Sequence, residues 1–297
     1  MRTENLSIAV EIQSTLGEGS IWDDQRKCLY WVDIYQGILH RLDSKNGKHD
    51  SIEVGGFLGS VVPSASEEVI LLNNRSFVGL DWEKKSFHTL GEVEKDLEGN
   101  RFNDGKCDPA GRYWAGTMPQ AEDGPFGGLY CLHPDLSIEK KLDNISISNG
   151  LVWTTDKKTM YYIDTPTKEV WAFDFDNSTG SITNKRVAVT ISESEGFPDG
   201  MTIDNENKLW IAHWGGYQVA RWDPETGEKL FSVKMPVSQV TSCAFGGEKL
   251  DQLYITCARK GLSNEALSKE PLAGSLFVYD TKGKYKGVPA NRFKRVS

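Results

Sequence analysis

The chain has 297 residues, and its 34 basic and 42 acidic side chains leave a formal net charge of −8 at pH 7. Hydrophobic residues make up 38% and charged residues 26%, which is typical of a soluble globular protein and excludes a disordered or collagen-like chain. Because the acidic balance repels phosphates, nucleic acid is not an expected partner.

The N-terminal segment, MRTENLSIAV, lacks a cationic region followed by an apolar stretch, so we predict no signal peptide. No apolar run approaches the ~20 residues that a membrane-spanning helix needs, and no membrane partner is expected. The five cysteines form no CxxC pair, which indicates reduced, buried thiols. We therefore expect a cytoplasmic protein that is a monomer or a weak oligomer.

Strand-like runs recur along the chain at a regular spacing. A first strand is predicted at residues 7–12 (SIAVEI), and six apolar runs follow it at steps of 40, 43, 48, 49 and 44 residues. These runs begin at Leu29, Val69, Arg112, Met160, Leu209 and Leu253. A period of about 40–50 residues with several short strands per unit is typical of the blades of a β-propeller.

A further strand follows the apolar run within the units, and each such strand ends in a turn rich in Gly, Asn, Asp or Lys. These strands read ILHRLD, VGLDW, GGLYCL, VWAFDF, QVARWD and SLFVYD. We therefore predict an all-β fold, a six-bladed β-propeller with about four strands per blade, in one domain over residues 1–297. The strand at 7–12 should close the ring by pairing with Ser275–Asp280 in the last blade, which removes an exposed edge.

Three segments depart from this rhythm. Ser263–Lys269 is the one predicted helix, with Ser263 as its cap. Two insertions, Pro119–Gly127 and Lys260–Gly274, are long for loops without their own structure and are candidate lids over a functional site.

Polar residues recur at one register of the repeat. The turn after the innermost strand contains Asp23, Asp108, Thr154 or Asp204 in four of the units. Five residues before these positions lie Glu18, Asn103, Asn149 and Asp199. Because equivalent positions on innermost strands meet at one end of the central channel, these side chains should converge there.

An oxygen-only group with two carboxylates needs a compensating cation or proton when it is desolvated. Such a group suits one hard divalent metal ion, and we expect Ca²⁺ before Mg²⁺, Mn²⁺, Zn²⁺ or iron. The alternative is structural, because Asn149-Gly150 and Asp199-Gly200 are common hairpin signals. In the third unit Asp104 competes with Asn103 for the inward position, and the shared face of Arg101 and Asn103 favours Asn103.

The motifs that contain these residues resemble one known family over the whole chain. They read LGEGSIW, LYWVDI, NRFNDGK, GTM, SNGLVW, PDGMTID, AFGG, LYITCARKGLS and LAGSLFVYD. They are similar to the senescence-marker-protein, gluconolactonase and regucalcin family, six-bladed propellers that open lactone rings with a bound divalent metal. The resemblance implies Glu18, Asn149 and Asp199 as metal ligands, and Arg101 and Asn103 as residues that bind substrate hydroxyls.

One part of the family pattern has no secure counterpart. After GTM the chain continues PQAED, where animal members have a substrate-contacting glutamate, and either Gln120 or Glu122 could take that role. The stretch ARKGLSNEALSKEPLAGSLF is most similar to bacterial sugar lactonases. The substrate therefore cannot be transferred from the animal proteins.

Together these observations predict metal-dependent hydrolysis of sugar lactones to aldonic acids. The metal would polarise the lactone carbonyl, and Asp199 would take a proton from the attacking water. Two alternatives stay open, a non-catalytic calcium- or protein-binding propeller and an esterase acting on aryl esters or phosphotriesters at the same metal. His213 could flank the channel or lie in the core, and Trp214 and Tyr217 are candidates for stacking on a sugar ring.

Overall fold

The computed structural model describes residues 3–296, which form six four-stranded antiparallel sheets. The innermost strand of each sheet contacts the innermost strands of both neighbouring sheets, so the six sheets close into a ring. The predicted six-bladed β-propeller with four strands per blade is therefore confirmed.

The strands of the first three blades have the following bounds. Blade 1 contains β2 (Gly17–Asp23), β3 (Cys28–Asp33), β4 (Ile38–Asp43) and β5 (His49–Glu53). Blade 2 contains β6 (Leu58–Pro63), β7 (Val69–Asn73), β8 (Ser76–Asp81) and β9 (Ser86–Glu92). Blade 3 contains β10 (Asn100–Cys107), β11 (Tyr113–Pro119), β12 (Gly127–Leu132) and β13 (Ile138–Ile145).

The other three blades continue the same order around the ring. Blade 4 contains β14 (Ser148–Trp153), β15 (Thr159–Asp164), β16 (Glu169–Asp176) and β17 (Ser181–Thr190). Blade 5 contains β18 (Phe197–Ile203), β19 (Leu209–Trp214), β20 (Gln218–Trp222) and β21 (Lys229–Lys234). Blade 6 contains β22 (Val240–Gly246), β23 (Gln252–Cys257), β24 (Leu276–Asp280) and β1 (Leu6–Val10).

Both ends of the chain contribute strands to blade 6. Strand β1 pairs antiparallel with β24, and Leu6 lies opposite Tyr279 in the register. The predicted ring closure by the N-terminal strand is confirmed, although the strand ends at Val10 and not at Ile12. Because the sheet joins residues far apart in the sequence, the ring cannot open at this point without breaking a full set of strand hydrogen bonds.

Burial decreases from the innermost strand of each blade to its outermost strand. Every residue of the innermost strands β2, β6, β14 and β22 is buried, whereas the outermost strands β9 and β17 are largely exposed. Inner strands are covered on both faces by the neighbouring blades, so their side chains pack between the sheets. Polar side chains at those strands are consequently held in fixed, water-poor surroundings.

The predicted helix is confirmed as α1 (Asn264–Lys269), and the Ser263 hydroxyl accepts a hydrogen bond from the Ala266 amide at 3.2 Å. Two short 3₁₀ turns lie at Thr165–Thr167 and Glu193–Glu195. None of the helices in the described part of the chain has the length and apolar character needed to cross a membrane.

Aspartates of the repeated turn have a structural role at one end of the channel. Asp204 accepts hydrogen bonds from Trp210 Nε1 at 3.0 Å and from Arg221 Nε at 2.7 Å. Asp108 accepts a hydrogen bond from Trp114 Nε1 at 2.9 Å. Asp108 and Asp204, which the repeat aligns, therefore make equivalent contacts in blades 3 and 5.

The segment after β24 crosses this same end of the ring, which the sequence did not predict. The Gly287 amide donates a hydrogen bond to the Leu250 carbonyl oxygen in blade 6. The Phe293 amide donates one to the Pro63 carbonyl oxygen in blade 2 at 2.9 Å. Arg292 pairs with Asp24 at 2.8 Å, and the Phe293 side chain is fully buried. The C-terminal segment thus ties several blades together at this end of the ring.

Candidate active site

All six innermost strands have an irregularity at the same level of the ring. In each of them the register of pairing with the second strand shifts, for example between Glu18 and Ile21 and between Pro198 and Met201. Such β-bulges re-aim side chains and are common beside active sites. Here they turn the polar side chains of this level toward the channel.

The glycines of the residue-glycine doublets are required by the close approach of these strands. A Cβ on Gly150 would lie 2.8 Å from the Asp199 carbonyl oxygen, and one on Gly200 would lie 2.9 Å from the Thr241 carbonyl oxygen. Both distances are too short for a real side chain. The doublets therefore lie inside inner strands β14 and β18, and the alternative that they are hairpin corners is wrong.

Three predicted residues meet on the floor of one pocket. Glu18, Asn149 and Asp199 line a cavity of about 250 Å³ that opens at one end of the channel. Their exposed fractions are 5%, 3% and 6%, so all three side chains are removed from bulk water. The two carboxyl groups neighbour each other, and Asn149 lies beside Asp199.

Burial makes ionisation of this pair costly. Desolvation raises the pKa of Glu18 to about 8, with a further contribution from the neighbouring Asp104 carboxyl. Desolvation also raises the pKa of Asp199 well above its ordinary value, and the charges of Glu18 and Asp104 add to this shift. Two buried carboxylates that face each other require a proton or a cation to compensate them.

A hydrogen bond from the Nδ2 atom of Asn149 orients its side-chain amide. Its Nδ2 donates to the Thr165 hydroxyl at 3.0 Å, and that hydroxyl donates to the Pro198 carbonyl oxygen at 2.9 Å. The Oδ1 atom is buried and has no hydrogen-bond partner among the described residues. Thr165 was not identified from the sequence, because nothing in the repeat distinguishes the residue that follows a second strand.

Two aspartates fix the loops that lead into these inner strands. Asp33, at the end of β3, accepts hydrogen bonds from the amides of Thr15 at 2.7 Å and Leu16 at 3.2 Å. Asp164, at the equivalent end of β15, accepts one from the Ile147 amide at 2.8 Å. Glu18 and Asn149 each follow two residues later, so the same local device positions both side chains.

The unpartnered amide oxygen and the two carboxyl groups form a donor set that suits a hard divalent cation. Within residues 3–296, no three His, Cys, Asp or Glu side chains are grouped as a metal site, so an amide oxygen has to complete this set. Asn103 does not join it, although its repeat position placed it with the other three. Its Oδ1 already accepts a hydrogen bond from Arg101 Nη1 at 2.7 Å.

Arg101 and Asn103 instead form a polar wall of the pocket. Asn103 Nδ2 donates to the Ser148 carbonyl oxygen at 2.8 Å, which ties blade 3 to blade 4. Arg101 is only 2% exposed, and its Nε has no hydrogen-bond partner among the described residues. The wall therefore presents a buried, partly unsatisfied cation to whatever enters the pocket.

Asp104 does not line this pocket but lines a smaller cavity that also contains Lys106 and Ser242. Burial raises the pKa of Asp104, and Lys106 opposes that shift. The Lys106 ammonium also donates to the Met201 carbonyl oxygen. Two adjacent residues beside the bulge in β10 thus line different cavities, Asn103 the pocket and Asp104 the smaller one.

The remaining walls of the pocket are mostly apolar, with Glu122 and Lys260 at its mouth. The apolar residues are Leu16, Met118, Ile147, Pro166, Phe197 and Trp214. Trp214 therefore lines the pocket, as the hypothesis that it stacks on a sugar ring requires. Tyr217 does not line the pocket, and its hydroxyl donates to Glu270 Oε1 at 2.6 Å.

His213 is a core residue. It is fully buried and stacks on Trp222, with 6.1 Å between ring centres. Its Nδ1 lies 2.9 Å from the Glu195 carbonyl oxygen, and burial lowers the pKa of the imidazole to about 4. It is not one of the residues that line the pocket.

Known proteins resemble the chain along nearly its whole length. The family model described as SMP-30/gluconolactonase/LRE-like region matches residues 16–259. Regucalcin from Gallus gallus is 41% identical over 283 residues, which cover 94% of each chain. Among solved structures, a luciferin-regenerating enzyme has a TM-score of 0.91 at 34% identity, covering 97% of this chain and 99% of its own. A calcium-binding protein, regucalcin, from Agrobacterium tumefaciens has a TM-score of 0.93 at 26% identity, covering 99% and 98%.

Proposed function

Because the chain belongs to the SMP-30/gluconolactonase/LRE-like family, we propose that it hydrolyses sugar lactones to aldonic acids with one divalent metal ion. The observation that carries this proposal is the buried group of Glu18, Asn149 and Asp199, in which the Asn149 amide oxygen has no hydrogen-bond donor among residues 3–296. Calcium is the first candidate metal, since oxygen ligands suit it and a related propeller is a calcium-binding protein.

Glu18, Asn149 and Asp199 would hold the metal on the pocket floor. When bound, the metal would polarise the lactone carbonyl and lower the pKa of a water molecule. Asp199 would accept a proton from the attacking water, because its carboxyl group lies at the floor and is buried. Glu18 would supply the second negative charge that holds the cation.

The polar wall would bind the hydroxyl groups of the substrate. Arg101 brings directional donors to a desolvated surface, and Asn103 keeps its guanidinium in place. Glu122 lines the same pocket, whereas Gln120 is not among its lining residues, which favours Glu122 as the counterpart of the family's glutamate. A lactone carbonyl at the floor would leave its ring hydroxyls facing these groups.

Replacing Arg101 by Ala is expected to raise KM by about tenfold to hundredfold, the scale of a lost hydrogen bond to a charged group. The metal ligands remain, so metal content should not change. Steady-state kinetics with D-glucono-δ-lactone and elemental analysis would check both results. Arg41→Ala is the matched control, because Arg41 lies over Trp82 away from the pocket and its loss should leave KM unchanged. A folded Arg101→Ala enzyme with normal KM would contradict the substrate-binding role.

Metal affinity is expected to rise with pH to at least about 8. The metal-free Glu18 carboxyl has its pKa raised to about 8, so below that pH the metal must displace a proton. Affinity should fall at least about tenfold for each pH unit below this value, because the Asp199 carboxyl, whose pKa is also raised, can release a second proton. Calorimetric titration with Ca²⁺ from pH 6 to 9 would measure this slope, and a flat profile would contradict Glu18 as a ligand.

The apolar walls favour one second candidate, hydrolysis of esters or lactones with apolar substituents. Phe197 is 40% exposed and lines the pocket with Ile147, Pro166 and Trp214, so an apolar group would be sheltered there. Parallel assays of aldonolactones and aryl esters, before and after chelation, separate the two candidates. Preference for aryl esters with no hydrolysis of aldonolactones would replace the sugar-lactone proposal.

A further inference from the structure

Lys260 forms an ion pair across the mouth of the pocket. Its Nζ lies 2.5 Å from Oε1 of Glu122, and both residues line the cavity. Lys260 belongs to the loop after β23 in blade 6, and Glu122 to the loop between β11 and β12 in blade 3. These blades lie opposite each other in the six-membered ring, so the pair joins the two insertions over the site.

The backbone of Lys260 is firmly anchored. Its amide donates to the Thr15 carbonyl oxygen at 2.9 Å, and its carbonyl oxygen accepts from Gln239 Nε2 at 2.9 Å. The ammonium lies 5.1 Å from the centre of the Tyr35 ring, and the Arg101 guanidinium lies 5.9 Å from the same centre. Lys260 therefore enters the pocket from a fixed position beside the polar wall.

Glu122 is held less firmly by its own loop. It has a positive φ of 56°, and its amide donates to the Pro119 carbonyl oxygen at 3.1 Å in a tight turn. The Lys260 ammonium donates a hydrogen bond to Oε1 of Glu122. In the described part of the chain, no side chain donates to Oε2. The direction of this carboxylate thus depends on Lys260, and Oε2 is left to accept a further hydrogen bond.

We propose that Lys260 is a positioning residue that aims the Glu122 carboxylate at a substrate hydroxyl and thereby selects polyhydroxylated lactones over unsubstituted ones. The inference rests on the proposed lactone hydrolysis. With side chains 32% and 40% exposed, this ion pair contributes little to folding stability. Its effect lies in orientation, since sites built to hydrogen-bond a hydroxyl discriminate against analogues that lack it.

The test is Lys260→Met, assayed with D-glucono-δ-lactone and with unsubstituted δ-valerolactone. KM for the hydroxylated lactone should rise about five- to tenfold, the effect of losing one oriented hydrogen bond, with kcat nearly unchanged. KM for δ-valerolactone should stay the same. The matched control is Lys269→Met, which breaks the 2.7 Å ion pair with Glu265 on α1 in the same insertion and should change neither KM.

Two further variants show whether Lys260 acts through Glu122. Lys260→Arg keeps the charge and should restore most of the affinity for the hydroxylated lactone. Glu122→Gln combined with Lys260→Met should have the same KM as Glu122→Gln alone. An additional rise of KM in the double variant would mean that Lys260 contacts the substrate directly, which would overturn the positioning role.

Failure of this inference can be told from failure of the proposed function. An active wild-type enzyme in which Lys260→Met leaves both KM values unchanged overturns the inference alone. A wild-type protein without any lactone hydrolysis overturns the proposed function. In that case calorimetric binding of D-gluconate still tests Lys260, and equal affinities of wild type and Lys260→Met would overturn the inference as well.

Discussion

Replacing Asp199 by Asn is expected to lower kcat by ~10²–10⁴-fold, the usual contribution of a positioned general base. The substitution preserves the shape of the side chain and one oxygen ligand, but it removes the proton acceptor and one negative charge. Asp199 lies on β18 beside the bulge, and burial raises the pKa of its carboxyl in the metal-free protein. A bound cation would favour the carboxylate form, which is the form that can accept a proton. KM should change much less than kcat, because the polar wall around Arg101 is untouched.

The measurement needs kcat, KM, metal content and melting temperature from one preparation. Asp223→Asn is a suitable control, since Asp223 in the same blade pairs with Lys208 at 2.7 Å outside the pocket. That variant should retain normal turnover. A folded, metal-loaded Asp199→Asn enzyme with near-normal kcat would exclude Asp199 as the base. A drop in stability with normal kinetics would instead indicate a structural role.

Removing the metal is expected to abolish hydrolysis, and adding a divalent ion back should restore it. Glu18 and Asp199 are buried side by side, and the Asn149 amide oxygen adds a third acceptor that has no donor within the described part of the chain. Without a cation the pair has to keep a proton, which removes a carboxylate that the proposed reaction needs. The melting temperature should also fall, because a ligand present at 100 times its Kd stabilises the native state by ~2.7 kcal/mol.

Chelation followed by separate additions of Ca²⁺, Mg²⁺, Mn²⁺ and Zn²⁺ would identify the preferred ion. Elemental analysis has to confirm that the protein is free of metal before the activity is read. Glu18→Gln is the matched variant, since it removes a charge from the ligand set, and its melting temperature should respond weakly to chelator. Full activity in metal-stripped wild-type protein would refute metal-dependent hydrolysis.

The sequence was sufficient to predict the architecture because a propeller repeats one structural unit. Apolar runs beginning at Leu29, Val69 and their counterparts became the second strand of every blade, and the N-terminal strand paired with β24. The same repeat brought Glu18, Asn149 and Asp199 to one level, since equivalent positions on the inner strands face a common channel. Their roles as ligands and base stay predictions.

Other features depended on irregular backbone. Alternation along the strand predicted that Arg101 and Asn103 share the inward face, and both line the pocket. The smaller cavity that contains Asp104 was not predicted, because the bulge in β10 breaks the period of two. The Thr165 hydroxyl accepts a hydrogen bond that orients Asn149, and nothing in the sequence repeat distinguishes this threonine. These contacts depend on the backbone geometry at bulges and strand ends. Because many residue types are compatible with the same turn, the sequence does not identify which side chains make them.

The remaining features join parts of the chain that are remote in sequence. Lys260 and Glu122 are 138 residues apart, and they meet because blades 3 and 6 face each other across the ring. Arg292 reaches Asp24 in the same way, when the C-terminal segment crosses the far end of the channel. The periodic pattern of apolar residues is local information and therefore specifies blades and their order. Which side chains meet across the channel depends on how six blades close into a ring, and that is set by packing between sheets.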